Sequence, residues 1–78
     1  VNTQRMIRKD GFKLIVYPKI EKLLLFDLEN DPEEMNDLAE LPKNQEKVKA
    51  LFEDLIRLQE KMDDPMNLQD IYDGRFAN

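Results

Sequence analysis

Four residue types are missing from this sequence altogether: cysteine, histidine, serine and tryptophan. Without cysteine there is no disulfide framework and no thiolate metal site. Without histidine the commonest zinc ligand and the commonest general base are gone. Thr3, the two tyrosines and the lysines remain for nucleophilic chemistry, and none stands beside a residue that would activate it. Long apolar runs are missing too. The longest, Leu23–Phe26, falls far short of the roughly 20 residues of a membrane span, which predicts a soluble chain with no membrane partner. The sequence opens on Val1 without the basic and apolar regions of a secretory leader, so any such signal is expected upstream and the compartment is not written in these residues.

What is present is small. A chain of 78 residues has room for one domain and hides a low fraction of its surface, so it needs help from a metal, a disulfide or a partner. With disulfides, thiolate metal sites and histidine ligands excluded by composition, a partner is expected, and the chain reads as an incomplete piece of a larger protein. The net charge of -5 is unevenly spread. Residues 1–25 hold six bases and two acids, a balance of +4, whereas residues 26–78 hold six bases and fifteen acids, a balance of -9. An acidic half beside a basic half is the ordinary result of solvated faces and does not predict a nucleic-acid partner.

Two β-prone runs, Arg5–Lys9 and Phe12–Tyr17, flank Asp10–Gly11, a strong signal for a two-residue hairpin turn because glycine supplies the positive φ. Pro18 ends the second run, and a third follows as Lys22–Leu28. Strands are predicted over about 4–9, 12–17 and 22–28, in an antiparallel meander of three or four strands. Side chains alternate along each strand. Phe12, Leu14 and Val16 share one face of the second strand and Ile15 and Tyr17 the other, while Leu24, Phe26 and Leu28 lie opposite Leu23 and Leu25 on the third. Both faces are therefore apolar, unlike an antiparallel sheet with one wet face.

Asp31–Pro32–Glu33–Glu34 has the form of a helix start, with a capping acid, proline at the first position and a glutamate three after the cap. One helical turn is expected over 32–35, with Leu38 as an apolar plug against the sheet. From Val48 the apolar positions Leu51, Phe52, Leu55, Ile56, Leu58 and Met62 keep a 3.6-residue period. A helix over about 42–63, stopped by Pro65, would be roughly 33 Å long and would cover one face of the sheet. The expected fold is α+β: a small antiparallel sheet packed on one long C-terminal helix within residues 1–64. Residues 65–78 form a tail without strong period.

Several chemical readings are weaker than their structural counterparts. Asp27–Leu28–Glu29–Asn30–Asp31 begins like a calcium loop, but Pro32 occupies its glycine position and Leu38 its final glutamate position. Glu33–Glu34 and Asp63–Asp64 read as helix-end acids rather than an acid–base pair. Phe12, Tyr17 and Phe26 among bases suggest an RNA-stacking sheet, yet the signature of such sheets is absent. Met62 and Met66 read as core.

In order, these pieces resemble the C-terminal subdomain of the type I sulfatases, the arylsulfatase-like branch of the alkaline phosphatase superfamily. Arg5–Met6–Ile7–Arg8–Lys9–Asp10–Gly11–Phe12–Lys13–Leu14–Ile15 is similar to that family's hairpin, and Leu25–Phe26–Asp27–Leu28–Glu29–Asn30–Asp31–Pro32–Glu33–Glu34 to its aromatic–Asp–Leu–x–x–Asp–Pro–x–Glu segment. The resemblance spans about residues 5–64. It implies a sheet docked on a large α/β catalytic domain that hydrolyses sulfate esters with calcium and formylglycine. It also implies that catalytic, metal-binding and cofactor-binding residues lie in that domain, with none here. Arg5, Arg8 and Lys13 match family positions and are expected to support strand edges. The catalytic domain of the parent chain is the expected partner, and the isolated piece is expected to self-associate and to be inactive on its own.

Overall fold

The computed structural model describes residues 3–76. Its first element follows from the Asp10–Gly11 pair. Both residues take left-handed backbone, with φ of 54° and 80°, the combination of a type I′ turn whose twist suits a hairpin. The turn joins β1 (Arg5–Lys9) to β2 (Phe12–Tyr17), in a register running from Lys9 opposite Phe12 to Arg5 opposite Val16. A 3-10 turn, Pro18–Ile20, ends in left-handed Glu21 and leads into β3 (Lys22–Asp27). That strand pairs with β2 from Tyr17–Lys22 to Phe12–Asp27. The sheet is the antiparallel meander β1-β2-β3, and the fold is α+β as expected.

The register sorts the side chains. Ile7, Phe12, Leu14, Val16, Leu23 and Leu25 share the inner face, which packs against the helices. Met6, Ile15, Tyr17, Leu24 and Phe26 share the outer one. The free edge of β3 is closed by the returning chain: Leu38 N–H donates to the Leu25 carbonyl at 2.8 Å, and Leu25 N–H donates to Asp37 Oδ1 at 3.0 Å. Leu38 is half-buried there, and the adjoining Ala39 is completely buried. Among the described residues β1 has no strand on its other edge.

The expected helical turn at 32–35 is a single β-turn instead, closed by Glu34 N–H to the Asp31 carbonyl at 3.0 Å. Glu34 takes left-handed backbone, φ 57°, which stops a helix from propagating. The Asp31 carboxylate accepts from Met35 and Asn36 N–H at 3.0 and 2.9 Å, further along the chain than a helix cap reaches. Glu34, expected to close a capping box, binds Lys13.

A 3-10 turn at Pro42–Asn44 runs into α1 (Gln45–Lys61). Val48, Leu51, Phe52 and Leu55 are its buried stripe, joined by Gln59 at 7 % exposure. Met62, expected in the core, is 71 % exposed. The helix ends before it: Asp63 N–H donates to the Glu60 carbonyl and Asp64 N–H to the Gln59 carbonyl, a Schellman motif with Asp63 in the left-handed position, φ 55°, that glycine usually fills. Pro65 follows, as it does where a helix cannot continue.

The tail holds a second helix, α2 (Gln69–Phe76). Leu68 is 1 % exposed in the core, and Met66, Ile71, Tyr72 and Phe76 pack against it. Phe52 of α1 meets Tyr72 and Phe76 edge-on, with ring centroids 5.6 and 6.3 Å apart, a geometry that aromatic quadrupoles favour. Tyr72 Oη donates to the Glu53 carboxylate. One long helix therefore does not cover the inner face alone. The break expected at residue 64 does not separate a tail from the core.

Candidate functional site

Several of the acids and bases singled out in the sequence have structural occupations. Asp27 Oδ1 accepts from Glu29 and Asn30 N–H at 3.1 and 3.2 Å, and Asn30 Nδ2 donates to its Oδ2 at 2.8 Å. The Asn30 side chain, then its backbone N–H, holds the Asp27 carboxyl below its usual range. Asp27 and Asp31 of the calcium-like stretch thus face their own backbone. Among the described residues no three acidic or metal-ligating side chains gather into a cation site.

The bases tie elements together. Arg5 Nε and Nη2 both donate to the Asp64 carboxylate, the Nη2–Oδ1 bond being 3.0 Å long. Met66 N–H also donates to Asp64 Oδ1, at 3.1 Å. Those partners, Arg5 foremost, hold the Asp64 carboxyl far below the usual carboxylate range. Beside it the Gln59 amide donates to the Met66 carbonyl, which accounts for a buried polar residue on an apolar stripe. At the other end of β1, Lys9 Nζ donates to Asp54 Oδ2 at 2.7 Å. Lys9, then Arg57, lowers the Asp54 pKa, and Asp54 raises that of Lys9. With Arg5 at Asp64 and Lys9 at Asp54, α1 runs antiparallel to β1 and is pinned at both of the strand's ends.

Lys13 Nζ donates to both oxygens of Glu34 at 3.1 Å. Arg8, directly opposite Lys13 on the outer face, has no ion-pair or hydrogen-bond partner among the described residues. The three rings of the RNA-like reading do not share a face. Phe12 lies inside with Lys47 Nζ 4.1 Å from its centroid, while Tyr17 and Phe26 lie outside.

The apolar surface that the molecule exposes is local. Ile15 and Phe26 of the outer face are buried, at 6 % and 7 % exposure, and stand apart from the core cluster under the helices, while Met6 on the same face is exposed. Beside β1, Met6, Leu55, Leu58 and Met62 line a groove of about 350 Å³ together with Arg5, Gln59 and Asp64. Met6 belongs to both, so the outer face and the groove form one surface. Sequence reasoning assigned Leu58 and Met62 to the core stripe. Their spacing from Leu51 and Leu55 keeps the period of the stripe, so the sequence held no signal that they are exposed.

An α+β module of this topology, with a sulfatase-type hairpin and Asp–Pro segment, is of the class of C-terminal domains appended to sulfatases. The chain belongs to the family of N-sulphoglucosamine sulphohydrolase C-terminal domains, whose family model matches residues 1–61. Among curated proteins none matches the chain.

Proposed function

We propose that the chain is a non-catalytic subdomain of a sulfuric ester hydrolase, which buttresses the catalytic domain and contributes to the rim of its substrate cleft. The apolar groove beside β1, where Met6, Leu58 and Met62 stand exposed, carries this reading, because exposed patches of that kind mark interaction sites. The family-matching residues Arg5 and Lys13 are engaged in bonds within the module, consistent with a supporting role. Calcium and formylglycine belong to the catalytic domain on this reading. Formylglycine is made from cysteine or serine, neither of which is present, and Asp27 and Asp31 are occupied by backbone N–H groups, so the residues here fit neither group.

The test is in two parts. The upstream reading frame is expected to encode a Cys or Ser–x–Pro–x–Arg motif; an unrelated domain there would sink the proposal. The purified chain, assayed on aryl sulfates with calcium, is expected to be inert, and turnover that follows the chain through purification would overturn the non-catalytic role. The open β1 edge favours a second reading, a free-standing module that binds a partner by strand addition. A stop codon directly upstream would support it.

A further inference from the structure

The outer sheet face carries three cations, Arg8, Lys13 and Lys22, and no acid from any of its three strands, in a chain whose net charge is -5. Arg8 and Lys13 stand directly opposite each other, and like charges so placed destabilise a sheet. Glu34 reaches over from the following loop to relieve Lys13, which shows that the face accepts a carboxylate. Arg8 has received none from the described residues.

We propose that this face is where the catalytic domain docks, and that the domain presents carboxylates, one of them placed against Arg8. The proposal rests on the supporting role argued above and adds the face, the chemistry and the contact residue. Size favours a tethered domain over a separate molecule. Three strands spaced about 4.8 Å apart and about 20 Å long offer roughly 300 Å², while a stable free-standing interface needs about 800 Å² per partner. A domain in the same chain needs less, because the linkage supplies a high effective concentration. A second copy is disfavoured by charge, since twofold stacking through this face would set cations against cations.

The experiment uses the complete protein that carries this chain. Its lysines are acetylated under native conditions and read by mass spectrometry. Lys22 is expected to label severalfold more slowly than Lys49 and Lys61, which stand exposed on α1. Arg8→Glu is expected to bring Lys22 to their rate, and Lys49→Glu to leave it slow. A reactive Lys22 with protected helix lysines would overturn the proposal but leave the supporting role standing, since docking would then use the helices. Equal reactivity of all three would sink both. Protection of Lys22 that vanishes on dilution would identify a second copy as the occupant and equally overturn the proposal.

Discussion

Gly11 and Asp63 both hold left-handed backbone, at φ 80° and 55°, and they illustrate opposite relations between sequence and structure. Gly11 is where a glycine is required. A Cβ there would also lie 3.0 Å from Glu29 Oε2, the end of a flexible side chain that can move. The backbone conformation is thus the main cost, and Gly11→Ala is expected to lose about 1–2 kcal/mol in urea unfolding. Asp63 fills a position where glycine would be easier. Asp63→Gly is expected to gain up to about 1 kcal/mol in the same measurement, with the Schellman bonds intact. The hairpin was readable because Asp–Gly declares its turn. The end of α1 was readable only from Pro65, since no glycine announced the cap and Met62 kept the apolar spacing past the last helical residue.

At the scale of elements, the pinning of α1 to β1 sets the response to pH. Asp64, Asp54 and Asp27 all have carboxyl pKa values lowered by their partners. Their contribution is fully present above the unfolded value of about 3.9. It is lost as pH falls through the lower folded values, because the unfolded chain then takes up protons that the folded chain does not. The opposite sign holds for Lys9 and Tyr72, raised chiefly by hydrogen bonds to Asp54 and Glu53. Their contribution is present below about pH 10 and fades as pH rises through the folded values. Thermal midpoints are therefore expected to be flat near neutrality and to fall at both ends, with Asp64→Asn flattening part of the acid limb. A wild-type acid limb unchanged by that substitution would show that the Arg5–Asp64 pair contributes nothing measurable. The sequence pattern exposed the strands and α1 because apolar residues repeat at the right period. It could not reveal these pins, since ionic partners 45 and 59 residues apart are joined only by the fold.

The whole molecule extends beyond the family match, which ends at residue 61. The hydrophobic core continues through Leu68 to Phe76. The tail helix was legible in principle, since Leu68, Ile71, Tyr72 and Phe76 follow an i, i+3, i+4, i+8 spacing. Asp70, Asp73 and Gly74 dilute the pattern, and eight residues are too few for a strong period. Its packing makes the tail part of the fold's stability. Phe52 is completely buried and takes two edge-on contacts from Tyr72 and Phe76. Phe52→Ala is expected to cost about 3–5 kcal/mol, much of what a domain of this length has at roughly 0.05–0.15 kcal/mol per residue. Truncation after Asp64 should be as damaging: it uncovers Phe52 and removes Leu68 from the core, leaves the Gln59 amide without the Met66 carbonyl, and takes the Met66 N–H from Asp64. The intact chain is expected to bind a hydrophobic dye through the groove lined by Met6, Leu58 and Met62 while giving a cooperative thermal transition. The truncated chain is expected to bind more dye and to lose that transition. Retention of a cooperative transition by residues 1–64 would place the stability in the sheet and α1 alone, and would reduce α2 to a cover over an already stable core.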